Sequence, residues 1–396
     1  MSLSTSDLHE IVVELVSRPG HEKVRVLLHK LLTDGLGAKS RDITFEQQTK
    51  TFDVRGRIDA LLGRTVIELK SDLRKEAFDA QLAGYLKERR ATTGRDFVGI
   101  VTDGATFSVH ELAEDGETLV ELGALTPDPD DPGRLLSWLE SVVALQDRLP
   151  PDVPRIRIEL GRESVLYARA MRELEALWNR LADEPEVILK RQLWDRLLRV
   201  AYGTEIDAPE LFLQHTYLVI LAKSVATAAL AQRMPDTGRD LLDGRAFRDL
   251  GILNAVDADF FDWLLSDDQG DALVLRIAMQ AQRFDLGAID VDVLKGLYES
   301  LIDPAQRHDL GEYYTPDWLT ARICAVAIDA PLTQRVIDPA CGSGTFLFHA
   351  LRRWSPPLAN RVWTPPPPLF SPGKRSRAST SIRSPSSSRV SHGFWR

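Results

Sequence analysis

The stretch from Arg57 to Lys70, RIDALLGRTVIELK, constrains this chain more than any other. Two short apolar runs meet at one glycine, Gly63, a spacing too tight for helices and suited to a β-hairpin. Side chains alternate across a strand, so Glu68 and Lys70 share one face while Ile67 and Leu69 take the other. The hairpin brings Asp59 alongside Glu68. Two carboxylates and an ammonium on one face are a set that can hold Mg2+ through oxygen ligands, with Lys70 orienting water or stabilising a phosphorane-like charge. Taken alone, Glu-x-Lys on a strand is more often a solvated, salt-bridging face.

The rest of the chain reads as an α/β protein in several parts. Residues 1–125 form one α/β domain. HEIVVELVS and EKVRVLLHKLLTDGLG repeat apolar residues at helical spacing before Pro-Gly or Gly, and a helix from about Glu76 to Arg90 follows the hairpin. DFVGIVTDGATFSVHEL then reads as two strands joined at Asp103-Gly104. Residues 126–160 hold a Pro- and Asp-rich linker, TPDPDDPG, and a helix over RLLSWLESVVALQDRL. Residues 161–305 read as helical, as in VLYARAMRELEALWNRLA, where Leu166, Ala170, Leu174, Leu177 and Leu181 share a face. Residues 306–351 open a further α/β domain. Thr315 is the expected N-cap of a helix with Pro316 first and Asp317 in its first turn; VIDPA reads as a strand, CGSG as a tight turn and TFLFHALRRW as a helix.

The most apolar stretch, LFLQHTYLVILAKSVATAALA from Leu211 to Ala231, contains Gln214, His215 and Lys223, which a lone membrane span would have to bury at a cost. It reads as a buried core helix, with no membrane partner. Cys324 and Cys341 make neither a disulfide framework nor a zinc pattern, and the N-terminus has no signal-peptide pattern, so a cytoplasmic setting is expected. The net charge of −9 hides a change of regime: residues 352–396 hold eight Arg, one Lys and no acid, leaving 40 basic against 58 acidic residues before them. This Arg-, Ser- and Pro-rich tail, expected to be disordered, is what a shifted reading frame in a GC-rich gene yields. A frameshift soon after the helix beginning near Thr345 is the expectation, against a native basic DNA-binding segment.

The Asp59, Glu68 and Lys70 spacing resembles the PD-(D/E)xK nuclease superfamily. Gln81 and Tyr85, one turn apart in FDAQLAGYLKERR, are similar to the Gln-x3-Tyr motif of the branch containing type I restriction subunits and related exonucleases. Glu22 resembles the first-helix glutamate that this branch adds to its metal site, with Glu14 and Glu46 as alternatives. That resemblance implies a metal held by Asp59, Glu68 and Glu22, with Lys70, Gln81 and Tyr85 completing the catalytic set. Arg74, Lys75, Lys87, Arg89, Arg90 and Arg95 are then either phosphate contacts or solubility charges.

DPACGSGTF lacks the third glycine of a dinucleotide fingerprint, where Leu347 stands, and the Gly-Lys-Ser/Thr of a P-loop. It resembles motif I of adenine-N6 DNA methyltransferases. GEYYTP, from Gly311 to Pro316, resembles the motif that precedes it, and KGLYESLIDPAQRHDL with LFLQHTYLVILAK resembles the helical domain of type IIG restriction-modification proteins. The resemblance covers Met1 to about Leu351 and implies an α/β nuclease, a helical connector and the start of a Rossmann-like methyltransferase. By that analogy Tyr314, Thr315, Pro316, Asp338, Cys341, Gly342 and Gly344 line an S-adenosyl-L-methionine site. The family's acidic ribose ligand has no counterpart, since no Asp or Glu follows Asp338, and its Asn/Asp-Pro-Pro-aromatic motif is absent.

The implied function is the N-terminal part of a bifunctional restriction-modification enzyme that cuts double-stranded DNA with Mg2+ and methylates adenine at N6. Its implied partners are DNA and a specificity subunit or a C-terminal remainder. The alternatives are a methyltransferase whose nuclease-like domain only docks DNA, and a non-enzymatic DNA-binding remnant.

Overall fold

The computed structural model describes residues 3–48, 57–113, 115–146, 148–202, 209–230, 234–252, 256–286, 292–302, 315–331, 333–339, 341 and 344–354. The chain divides into two compact units, Met1–Ala176 with Met279–Leu286, and Leu177–Ala278 with Gly287–Arg396.

The first unit is built on a six-stranded sheet whose spatial order follows the sequence: β1 (Ile43–Gln48), β2 (Arg57–Leu62), β3 (Thr65–Leu69), β4 (Val98–Thr102), β5 (Phe107–Leu112) and β6 (Leu119–Leu125). Only β3 and β4 run parallel, because only they are joined by a helical crossover, α3 (Asp79–Thr93). The hairpin expected around Gly63 forms as β2–β3, with Gly63 at φ +59° in its two-residue turn. The strands expected on either side of Asp103-Gly104 form as β4 and β5. β1 and β6, the outer strands, were not anticipated. α3 starts three residues later than expected, because the Glu76 carboxylate accepts from the amides of Ser71 and Asp72 and holds 71–76 as a loop.

Helices cover both faces of this sheet. On one side α1 (Thr5–Val16) and α2 (His21–Lys30) bury Leu8, Ile11, Val12, Leu15, Val24, Leu27 and Leu28 against Ile67, Leu69, Ile100 and Phe107. α1 is fixed at its start by a capping box in which Ser4 Oγ accepts from Asp7 N (3.1 Å) and Asp7 Oδ2 from Ser4 N (3.2 Å). α4 (Pro132–Val143) adds Leu135, Trp138 and Leu139 to the same core. On the other side α3 packs Leu82, Tyr85 and Leu86 on Val66 and Val101. The approach is close enough that a Cβ on Gly99 would lie 2.5 Å from Leu82 Cδ1. Burial on both faces explains why all five residues of β3 are buried and why it reads as a continuous apolar run.

α5 (Val153–Leu160) and most of α6 (Val165–Leu181) also belong to this unit. The boundary between the two compact units therefore falls inside α6. Glu159 of α5 accepts from Gln280 Nε2 (2.8 Å) and Arg283 Nη1 (3.2 Å), Arg283 also pairs with Glu140, and Leu149 bridges to Phe284, which holds 279–286 to the first unit.

The second unit is helical: α7 (Pro185–Tyr202), α8 (Pro209–Leu230), the short α9 (Gly238–Leu242) and α10 (Arg245–Asp249), α11 (Asp268–Gln282) up to Ala278, and α12 (Val293–Leu301). Among the described residues α8 is the one helix long and apolar enough to cross a membrane, and most of it is buried within the unit. Gln214, His215 and Lys223 have internal partners: Trp194 Nε1 donates to His215 Nδ1 (3.2 Å), Gln214 Nε2 to Glu210 Oε1 (2.9 Å), and Lys223 Nζ reaches Leu242 O (2.7 Å), Asp257 O (2.8 Å) and Asp259 Oδ2 (2.9 Å). Trp178, Trp194, Phe212 and Trp263 stack edge to face around it.

Two helices follow, α13 (Asp317–Ala327) and α14 (Thr345–Trp354). Pro316, not Thr315, is the N-cap of α13; its carbonyl accepts from Leu319 N and Thr320 N, both at 3.0 Å. The strand expected over Val336–Ala340 does not form over its described residues, 336–339: residues 334–338 are irregular and Ile337 is exposed, and Ala340 lies outside the described residues. A strand needs a neighbour to take its backbone hydrogen bonds, and among the described residues every strand lies between 43 and 125. The tail after Trp354 lies outside the described residues.

Candidate functional site

β2 and β3 pair as Ala60 with Ile67, Leu61 with Val66 and Leu62 with Thr65. One further step of that register sets Asp59 across from Glu68, on the same face. Asp59 Oδ2 accepts from the backbone amide of Leu69 at 2.8 Å, which fixes the carboxylate at the strand end. Glu68 is only 2% exposed; its Oε1 accepts from Lys70 Nζ at 2.8 Å, while its Oε2 is buried with no hydrogen-bond partner. Lys70 Nζ also donates to Gln81 Oε1 (2.9 Å), and Gln81 Nε2 donates to Tyr85 Oη (2.7 Å). The i, i+4 spacing on α3 thus builds a relay from Tyr85 through Gln81 and Lys70 to Glu68.

Electrostatics sharpen this picture. Burial pushes the Glu68 carboxyl up to about 7, assisted by the Asp59 charge and opposed by the Lys70 hydrogen bond. Burial also raises the Tyr85 phenol, with Glu68 and Asp59 adding in the same direction, so Tyr85 stays a neutral O–H.

Glu22 is placed differently from expectation. Its side chain is 72% exposed and its Oε2 lies 2.5 Å from Arg25 Nη2. The residue of the first turn of α2 that reaches the site is His21, whose Nε2 is 3.3 Å from Asp59 Oδ1 and whose Nδ1 is 3.6 Å from Glu22 Oε1. Sequence reasoning passed over His21, although Gly20, at φ +90°, marks the corner that turns it inward. Asp103 was also missed as a structural hub. Buried at the β4–β5 turn, it accepts from Arg18 Nε (2.9 Å), Leu73 N (3.1 Å), Ala105 N (3.0 Å) and Thr106 N (2.9 Å), and so joins the corner before His21 to the loop after Lys70.

Among the described residues no three His, Cys, Asp or Glu side chains are grouped as a ready metal cage. What the hairpin offers is smaller: two carboxylates, one with a buried oxygen left without a partner. That donor set suits a hard cation that keeps much of its own water, as Mg2+ does.

The second candidate lies in 315–345. Gly344 sits at φ +98°, its amide donates to Cys341 O (2.8 Å), and a Cβ there would meet nothing within 4 Å. The space beside Gly344 is therefore open where α14 begins, so a ligand could approach the backbone closely. Burial raises the thiols of both Cys324, on α13, and Cys341, with the Asp338 charge adding in the same direction. Thr315 and Pro316 lead into α13; Tyr314 and Gly342 lie outside the described residues.

A family model described as N-6 DNA Methylase matches residues 289–356, the stretch that holds both GEYYTP and DPACGSGTF. Residues 289–356 are therefore similar to that family's model. No curated protein matches the chain. Among solved structures, a cryo-EM structure of a DrdV–DNA complex is similar at 16% sequence identity, over 87% of this chain and 35% of that one, with a TM-score of 0.32. The chain spans about a third of that neighbour's length.

Proposed function

We propose that this chain is part of a restriction-modification protein, in which an Mg2+-dependent DNA-cleaving unit precedes an adenine-N6 methyltransferase segment. The methylation half is supported by the family match over 289–356. The observation that carries the cleavage half is the buried, partnerless Glu68 Oε2 beside Lys70 and across the hairpin from Asp59.

In this reading Asp59 and Glu68 hold the cation, with Asp59 aimed by the Leu69 amide and by His21. A bound Mg2+ supplies Lewis-acid polarisation of the scissile phosphate and lowers the pKa of a water. Lys70, held by Gln81, places a positive charge where a pentavalent phosphorus would gather negative charge; Tyr85 fixes the Gln81 amide so that its oxygen faces Lys70. Thr315, Pro316, Asp338, Cys341 and Gly344 would hold S-adenosylmethionine, and the open space beside Gly344 leaves room for close approach of such a ligand. The Asn/Asp-Pro-Pro-aromatic motif is absent from the sequence, so methyl transfer needs groups that this chain does not supply.

The absence of a three-ligand cage among the described residues favours a second reading, in which the first unit only docks DNA. Incubating supercoiled plasmid with the purified chain and Mg2+, beside Asp59→Ala, separates the two. Nicking or linearisation lost in Asp59→Ala supports cleavage; no cutting, with binding intact in both proteins, supports docking.

A further inference from the structure

We infer that Asp292 and Lys295, one turn apart at the start of α12, are positioning residues that set the spacing between the two halves of the methyl-donor site, the segment ending at Thr315-Pro316 and the glycine turn before Thr345. The inference rests on the cofactor reading above and extends it to residues outside both motifs.

Each of the two residues holds one half. Lys295 Nζ donates to the carbonyl of Thr315 at 2.7 Å and lies 3.8 Å from Asp317 Oδ2, so it grips the chain where the first segment enters α13. Asp292 divides its carboxylate: Oδ1 accepts from Lys295 N (3.0 Å) and caps α12, while Oδ2 accepts from Thr345 Oγ1 (2.7 Å), on the residue that follows Gly344. Asp292, Lys295 and Thr345 are all buried. His349 Nε2 lies 2.7 Å from Asp317 Oδ1 and closes the frame from the α14 side.

Packing alone does not call for this arrangement. α12 already buries Val293, Leu297, Tyr298 and Leu301, so its attachment has an apolar basis. Buried charged groups are costly to desolvate and add direction rather than net burial energy. What these two add is a fixed distance between a carbonyl at 315 and a hydroxyl at 345, the flanks of the two segments that would meet the methionine end of the cofactor.

The test uses the full chain with Lys295→Met, Thr345→Val and the conservative Thr345→Ser. Losing one hydrogen bond to a charged group should speed amide exchange about tenfold at Leu319 and Thr320 in Lys295→Met, and about tenfold at Phe348 in Thr345→Val. Amides of α8 should stay unchanged, and Thr345→Ser should restore the Phe348 protection. Calorimetric titration with sinefungin should show about tenfold weaker binding in Lys295→Met and Thr345→Val, and wild-type affinity in Thr345→Ser. Unchanged local exchange would overturn the inference, as would equal acceleration in α8, which marks a merely structural loss. If the wild-type chain binds no sinefungin while local exchange behaves as stated, the cofactor reading fails and the coupling stands.

Discussion

Lys70 Nζ stands 2.8 Å from Glu68 Oε1, both groups nearly shut from solvent at the end of a strand whose every residue is buried. A buried ion pair of this kind is weak support for stability but strongly sensitive to the loss of one partner. Lys70→Met should cost about 3–5 kcal/mol at pH 8, read by urea unfolding, because it leaves the Glu68 carboxylate buried beside Asp59 without its cation. Unchanged stability would mean that the pair is open to water.

The pH response of Glu68 has a definite sign. Its carboxyl is held at about 7 in the folded chain against an ordinary 4.5, so the folded state binds the extra proton. The contribution is therefore fully present below 4.5 and is lost as pH rises through 7, roughly 3 kcal/mol in all. Subtracting the unfolding curve of Glu68→Gln, which cannot ionise, from that of the wild type between pH 4.5 and 8 isolates it. A difference that is flat with pH, or that rises with it, would contradict the assignment.

Tyr85→Phe removes the acceptor for the Gln81 amide. The freed amide can rotate and present its nitrogen to Lys70, which repels it. The expected effect is about a tenfold fall in the rate of plasmid cleavage with little change in KM, in line with one lost hydrogen bond. An unchanged cleavage rate would argue against the relay.

Asp103→Ala unlinks Arg18 and the amides of Leu73, Ala105 and Thr106 at once. A loss of about 3 kcal/mol in urea unfolding is expected, with faster proteolysis in 71–76 than elsewhere. Uniform proteolysis would argue against a hub that holds that loop.

The hairpin and its face were legible because a glycine between two apolar runs leaves little choice, and because alternation along a strand assigns sides by arithmetic. Gln81 and Tyr85 were legible for the same reason on a helix. His21 was not, since its approach to Asp59 depends on where the sheet packs under α2. β1 and β6 complete the edges of a sheet whose centre carries the strong pattern. Glu76 looked helical by composition, but its carboxylate serves the loop before α3. The strand expected at Val336–Ala340 shows the converse limit: a strand pattern specifies a strand only when a partner strand is beside it.

The central claim is that Asp59 and Glu68 share a divalent cation, and calorimetric titration of Mg2+ or Mn2+ into the full chain at pH 8 tests it most directly. One ion should bind per wild-type chain, with binding abolished in Asp59→Ala and in Glu68→Gln. Identical isotherms for the three proteins, or none showing binding, would contradict it.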